Sequence, residues 1–315
     1  MDDYLKIAIL CGGWSDERLI SLKSGESVHK CLIDNNVKSK LFDFKINDKL
    51  LLYKFLKDNS INLVFNLMHG TGGEDGTVQE YLESISMKYI GSNSLSSKIS
   101  FNKLKSKECW ISNNINTPKY IPLTRENLNV KLVSTLGDKV VLKPSESGSS
   151  VGIKILSSKK IFDTKNSREL IELEKLCVNS DLSEPIYFLE EYINYNEYTA
   201  PIIKNKIFPV IKIDTKREFY DYNAKYIDDD TSFTFPVFDT DHQKMINDTV
   251  LQAFKSLGCS DWGRVDFFMN DDGKIQLIEI NSIPGMTDHS LVPMSAKKNN
   301  LNYYDLLKIL LDIKV

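Results

Sequence analysis

The segment Gly263–Ser290, GRVDFFMNDDGKIQLIEINSIPGMTDHS, narrows the folds open to this chain more than any other. Val265–Met269 and Lys274–Ile280 are two β-prone runs around Asn270-Asp271-Asp272-Gly273, which predicts an antiparallel hairpin. With Met269 opposite Lys274, Glu279 falls opposite Arg264 and Asp266 opposite Leu277. Side chains alternate across a strand, so Arg264, Asp266, Glu279 and Asn281 share one face, joined nearer the turn by Phe268, Ile275 and Leu277. Val265, Phe267, Ile278 and Ile280 pack on the other side. Two carboxylates and an amide oxygen make an all-oxygen nest suited to Mg²⁺, with an arginine beside it for anionic oxygens. The same four groups also describe a solvated, salt-bridged hairpin face, and a one-residue bulge would break the register.

Upstream, strands and helices alternate. Leu5–Leu10, Lys38–Phe44 and Asn62–Met68 read as strands, and Ser21–Asn35 and Leu50–Asn59 as helices. Thr77 with Glu80 reads as a capping box for a helix through Ile85. This pattern predicts a parallel, doubly wound N-terminal unit with ligands at the carboxyl ends of its strands. Two Gly-rich turns, Cys11-Gly12-Gly13 and His69–Gly76, sit at such ends. Helices are expected over Ser97–Asn113, Asp163–Val178, His242–Leu257 and Asn302–Ile313. Strands are expected at Val140–Lys143, Gly152–Leu156, Ile186–Tyr192, Thr199–Ile203 and Ile207–Lys212. Asp214–Pro236 is polar with little periodicity, the mark of a lid or of disorder.

Bulk numbers exclude several classes. The 315 residues suffice for two or three domains. A net charge of −3 argues against nucleic acid as the main partner. No apolar run approaches the ~20 residues of a membrane helix. Two acids before the first apolar strand argue against a signal peptide. Five scattered cysteines without a C-x-x-C fit free thiols in a reducing cytoplasm. Among 40 basic residues only five are arginine, so arginines mark sites where lysine cannot substitute, as in bidentate contacts.

Two further segments carry chemistry. Lys143–Gly152, KPSESGSSVG, is a Gly/Ser loop between two strands, able to donate backbone N–H groups to phosphates with Lys143 at the strand end, though a flexible surface hairpin has the same composition. It lacks the GK[ST] of a Walker loop. Phe188–Glu197 puts one carboxylate at the end of an apolar strand and another seven residues on, enough for an adenine acceptor and a ribose ligand. Alone it reads as exposed acids.

Taken together, GGWSDER (Gly12–Arg18), HGTGGEDGTVQ (His69–Gln79), KLKSK (Lys103–Lys107), KPSESGSSVG, YDYNAKY (Tyr220–Tyr226), GRVDFF (Gly263–Phe268) and EINSIPGMTDHSLVP (Glu279–Pro293) resemble the D-alanine–D-alanine ligase family of the ATP-grasp superfamily, over nearly the whole chain. The resemblance implies an α/β chain, α+β in its ATP-grasp part. It implies a three-domain ATP-grasp fold: a doubly wound N-terminal domain over 1–96, a central subdomain over 97–184, and a C-terminal subdomain over 185–315 with the lid at 214–236. It implies that ATP phosphorylates one D-alanine carboxylate and that the amine of a second D-alanine attacks the acyl phosphate. Asp266, Glu279 and Asn281 would hold two Mg²⁺ ions, with Mn²⁺ as a substitute. Lys103 and Lys143 would contact the α and β phosphates, with Ser147, Ser149, Ser150 and Val151 closing over them and Lys225 reaching the γ-phosphate. Glu190 would accept from adenine, Ile193 N–H would donate to it, Tyr192 would wall the slot and Glu197 would bind the ribose. Glu17 would anchor the first ammonium and His69 would lie near its carboxylate. Arg264 and the Gly285 N–H would form an oxyanion hole, and Ser290 and Leu291 would take the second carboxylate. Glu17, Ser149 and Tyr226 would latch the lid.

Departures from the family pattern are Asn223, Ser282, Trp14 and Tyr195-Asn196; Asn223 and Trp14 touch the lid and the substrate end and so bear most on substrate preference. D-serine, D-lactate or another amino acid as acceptor, and a nucleotide-binding protein without ligase activity, remain as alternatives. The resemblance further implies small-molecule partners, no nucleic acid, no membrane, a homodimer and a cytoplasmic location.

Overall fold

The computed structural model describes residues 5–148, 152–164, 167–177, 184–215 and 231–313. Three sheets organise it. The first is parallel, in the order Ser39–Phe44, Ile7–Gly12, Leu63–Asn66, Tyr89–Ile90. Its central strand is buried on both faces, as expected where helices cover a parallel sheet. Ile7 and Ile9 pack to one side with Val28 and Leu32 of the helix Arg18–Asp34. Ala8 and Leu10 pack to the other with Leu52, Leu56, Val78 and Leu82.

The second sheet is antiparallel, in the order Tyr120–Pro122, Tyr187–Glu191, Lys139–Pro144, Lys154–Ser157. The third, also antiparallel, runs Ser232–Thr234, Ile211–Asp214, Asn196–Ile203, Trp262–Met269, Ile275–Asn281, with Lys206–Ile207 paired to Asn196–Ile203. The helix Thr240–Ser256 lays Ile246, Val250, Ala253 and Phe254 on its apolar face. The last helix, Tyr303–Leu311, leaves the third sheet: Leu306, Leu307, Leu310 and Leu311 join Ile7, Ile9 and Phe65 in the N-terminal core, beside Ile283 and Met286. Trp262 lies 5.4 Å from Phe65 in the same cluster. The two ends of the chain thus share one core. Among the described residues no helix is long and apolar enough to cross a membrane.

Several expectations are corrected. The hairpin pairs Met269 with Ile275 and Phe267 with Leu277; a bulge at Ile278 then sets Asp266 opposite Glu279 and Arg264 opposite Asn281. A bulge reverses the alternation beyond it. Ile275 and Leu277 therefore pack in the core with Val265 and Phe267, and Ile278 turns to the opposite face. The four polar residues still share one face because the extra residue sits between the two halves of the strand.

The capping box at Thr77 does not form. Gly76, at φ +88°, occupies the cap position, and Asp75 accepts from Thr77 N and Gly72 N instead. A Cβ at Gly76 would meet Ser94 O at 2.4 Å, so only glycine fits there. The helix expected over Ser97–Asn113 is two, Ser94–Phe101 and Lys103–Ser112, because Asn102 leaves the helical region and caps Lys105 N. Among the described residues of Asp163–Val178 the helix is Arg168–Leu176, capped by Ser167. The strand at Ile207–Lys212 is interrupted at Pro209, which has no N–H for a ladder. Of the segment expected as a lid, 216–230 lie outside the described residues; at its ends Asp214 pairs with Ser232.

Helix Ser94–Phe101 crosses the 96/97 boundary, and Tyr187–Glu191 hydrogen-bonds into the second sheet. We propose that the central subdomain extends through Glu191.

Candidate active site

The bulged hairpin stands between two cavities. One, of about 300 Å³, is lined by Lys103, Lys143, Ser147, Glu190, Tyr192, Ile193, Glu197, Asp266 and Glu279, with Val141, Ile155, Phe268 and Ile278 as apolar walls. The other, of about 580 Å³, is lined by Glu17, His69, Glu74, Arg264, Asn281, Gly285, Ser290 and Leu291. The residues expected to serve a nucleotide and those expected to serve amino acids thus fall into separate, adjoining spaces. Ser149, Ser150, Val151, Lys225, Tyr226 and Asn223 lie outside the described residues.

The arrangement follows from strand parity. In Asn196–Ile203, Tyr198, Ala200 and Ile202 fill the core while Glu197 and Thr199 lie on the opposite face, Glu197 lining the smaller cavity and Thr199 buried against Asp266. Thr199 Oγ1 donates to Asp266 Oδ1 at 2.5 Å. Arg264 grips both oxygens of Asp266 at 2.9 Å, and Asn281 Nδ2 donates to Oδ2 at 2.9 Å. Lys103 Nζ lies 3.2 Å from Glu279 and donates to Ser147 O at 2.7 Å. With Lys103 N bonded to Ser145 O, and Asn102 to Glu146, the first half of the Gly/Ser loop is pinned to the start of the helix Lys103–Ser112.

Gly148 brings that loop against Glu17. A Cβ on Gly148 would lie 1.9 Å from Glu17 Oε2. Glu17 itself stands just before the helix Arg18–Asp34, at the end of the first Gly-rich turn. The other arginine of the motifs, Arg18, makes a bidentate pair with Asp43 at 2.7 and 2.8 Å. It braces the turn and lines neither cavity.

His69 is buried with both ring nitrogens engaged. Nδ1 lies 2.9 Å from Ile283 O, and Nε2 3.2 Å from Ser24 Oγ, which accepts from Met286 N. The carbonyl can only accept, so Nδ1 carries the proton and Ser24 donates to Nε2. Burial lowers the imidazole pKa, so the ring is neutral at pH 7. His69 therefore ties the N-terminal sheet to the 283–286 loop and presents only part of its ring to the cavity.

Ser290 precedes the helix Leu291–Lys298 but does not cap it; its hydroxyl turns back to Thr287 N and Oγ1 at 3.0 and 2.8 Å. Leu291, which opens this helix and lines the larger cavity, thus has no cap from the Ser290 side chain, and a helix start of this kind favours a carboxylate.

Three contributors are absent from the expectations drawn from sequence: Lys107, Thr199 and Glu74. Lys107 is part of the KLKSK segment, one turn from Lys103 among Leu104 and Trp110, and a lysine on an apolar face is the signal that points to it. Thr199 is identified only by knowing which strand lies beside Trp262–Met269. Glu74 accepts from Gly70 N at 2.9 Å. Burial, then the charges of Glu17 and Glu279, push its pKa from 4.5 up to about 8. A folded-state pKa above the unfolded one means that the folded protein binds the extra proton, so stability declines as pH rises from 4.5 to about 8. Glu74→Gln is expected to flatten that decline in thermal melts taken across this range; parallel pH profiles for the two proteins would refute the assignment.

The donor set at the hairpin suits a hard divalent cation. Asp266 and Glu279 are cross-strand neighbours and Asn281 is on the same face. Among the described residues no three His, Cys, Asp or Glu side chains converge to cage a metal. Two carboxylates and an amide give a partial oxygen shell of the kind that Mg²⁺ completes with phosphate oxygens and water.

Two antiparallel sheets closing on a cavity walled by lysines and carboxylates, beside a doubly wound domain, define an ATP-grasp protein. The family models for the D-ala D-ala ligase C-terminus and N-terminus match residues 109–312 and 45–92. The D-alanine–D-alanine ligase B of Chromobacterium violaceum is 37% identical over 313 residues, covering 98% of each chain. The structure of the Bacillus anthracis D-alanine–D-alanine ligase complexed with ATP has a TM-score of 0.79 and 32% identity, covering 98% of this chain and 96% of that one. The VanG D-Ala:D-Ser ligase of Enterococcus faecalis also has a TM-score of 0.79, with 26% identity over 99% of this chain and 100% of that one. The chain belongs to the D-alanine–D-alanine ligase family.

Proposed function

We propose that the protein is an ADP-forming ligase that joins two D-alanines for peptidoglycan precursor synthesis. The observation that carries this reading is the hairpin between the cavities. It turns Asp266 and Glu279 toward the lysine-lined space and Arg264 and Asn281 toward the space that holds Glu17 and Ser290. A phosphoryl group leaving the first cavity would meet a carboxylate held in the second.

In this reading Glu190 and the Ile193 N–H recognise adenine, Glu197 binds the ribose, and Lys103 and Lys143 neutralise the phosphates. Asp266, Glu279 and Asn281 would hold two Mg²⁺ ions, or Mn²⁺ in their place, which would supply charge neutralisation at the transferring phosphoryl group. Glu17 fixes the ammonium of the first D-alanine. The open helix start at Ser290 and Leu291 holds the second carboxylate and so orients the attacking amine. Arg264 and the Gly285 N–H stabilise the oxyanion that develops at the tetrahedral centre. Arg264 can turn to that task from Asp266 when cations replace it as the partner of the carboxylate. Ser149, Tyr226 and Lys225 are proposed for loop and lid closure, the protein for the cytoplasm, and its assembly as a homodimer.

Phosphate release measured with ATP, Mg²⁺ and a panel of D-alanine, L-alanine, D-serine and D-lactate tests the reading. D-alanine alone is expected to support turnover to the dipeptide. Because a D-Ala:D-Ser ligase shares the fold, a D-serine acceptor is the second reading, and mixed D-alanine and D-serine incubations separate the two. ATP binding without turnover on any member of the panel would refute ligase activity.

A further inference from the structure

Lys107 is a lysine in the interior, 1% exposed, on the helix Lys103–Ser112. Its Nζ lies 2.5 Å from Glu190 Oε1 and donates to Thr117 Oγ1 at 2.6 Å, with the Tyr120 ring centroid 5.5 Å away. Lys143 Nζ takes the other oxygen, Oε2. The carboxylate at the end of the small cavity thus has a cation on each oxygen. Burial opposes ionisation of Glu190, but the charges of Lys107 and Lys143 outweigh it and hold the carboxyl below the usual range. Lys143 lines the cavity; Lys107 lies behind it.

The same ammonium reaches the opposite wall. Thr117 Oγ1 donates to Leu277 O at 2.8 Å, and Asn116 O accepts from Leu277 N at 2.9 Å. Leu277 adjoins the bulge that turns Ile278 into the cavity. One buried side chain therefore fixes the acceptor on one wall and, through Thr117, the backbone that shapes the other. An apolar residue would fill this volume without the desolvation cost of a charge, so packing alone does not explain a lysine here.

We propose that Lys107 is a positioning residue for base selection: it holds Glu190 as an oriented, ionised acceptor, so that the cavity takes a purine with an exocyclic amine and rejects one with a carbonyl in its place. This rests on the small cavity being the nucleotide site. An amine donates to a carboxylate. A carbonyl at the same position sets lone pair against lone pair and leaves both groups unpaired, the kind of mismatch that gives strong discrimination. A protonated Glu190 would donate to the carbonyl and lose that discrimination.

The test compares kcat/KM for ATP and inosine triphosphate in the wild type and in Lys107→Gln, at about pH 6.5 and about pH 9, values chosen around neutrality. The wild type is expected to prefer ATP at both. In Lys107→Gln the preference is expected to fall about tenfold or more at the lower pH, through KM rather than kcat, and to recover at the higher pH as Glu190 ionises again. Loss of packing alone would not give a pH-reversible change of base preference. A folded Lys107→Gln that keeps the wild-type ratio at both pH values overturns the proposal. If that variant does not fold, Thr117→Val decides, with a several-fold loss of preference expected and an unchanged ratio overturning it. A wild type indifferent between the two nucleotides would overturn the nucleotide reading itself, an outcome distinct from the others.

Discussion

Glu279→Gln is expected to lower phosphate release at least about 100-fold at moderate Mg²⁺, with partial recovery as Mg²⁺ is raised. Glu279 faces Asp266 directly across the hairpin, so the substitution removes one of the two carboxylate charges on that face. Its side chain is 22% exposed and the amide has the same shape, so no cavity opens. Lys103 loses its ion pair but keeps Ser147 O at 2.7 Å. The thermal transition should therefore change little while turnover collapses. The informative readout is the Mg²⁺ concentration giving half-maximal rate, which should shift upward. An unchanged rate would remove Glu279 from the metal assignment.

Gly148→Val is expected to cost about 100-fold in turnover with the first amino acid, by displacing Glu17 on the order of 1 Å or more. A Cβ at residue 148 would sit 1.9 Å from Glu17 Oε2 and 2.6 Å from its carboxyl carbon, well inside the ~3.5 Å at which such atoms pack. The backbone just before Gly148 is held, because Ser145, Glu146 and Ser147 are bonded to Asn102 and Lys103. Glu17 must give way, and with it the group proposed to hold an ammonium. KM for D-alanine should rise more than KM for ATP. Gly148→Val combined with Glu17→Ala should be no worse than Glu17→Ala alone, since the colliding group is gone. Additive losses in that double variant, or a normal rate in Gly148→Val, would show that the close approach has no role.

The polar face of the hairpin illustrates what was legible and what was not. Alternation placed Arg264, Asp266, Glu279 and Asn281 together, and they are together, although the pairing assumed for them was out of register. Beside the bulge that shifts the register, Leu277 bonds to Asn116 and Thr117, a contact across more than a hundred residues that no local pattern announces. The N-terminal strands were readable because a sheet covered on both faces needs continuous apolar runs, as in Ile7–Leu10. The break at Asn102 was not, because the helix-forming residues on either side continue the same pattern.

By itself the sequence determined the chemistry: the order of strands and helices, the lysines and acids of the motifs, and the family they resemble. These depend on local periodicity and residue type. Only the tertiary structure decided how that chemistry is divided. It sent the last helix back to the first sheet, set the two cavities on either side of one hairpin, engaged both nitrogens of His69 in structural bonds, and buried Lys107 behind Glu190. Each of these is a long-range pairing of burial and charge, and its energy exists only once distant segments have been brought into contact.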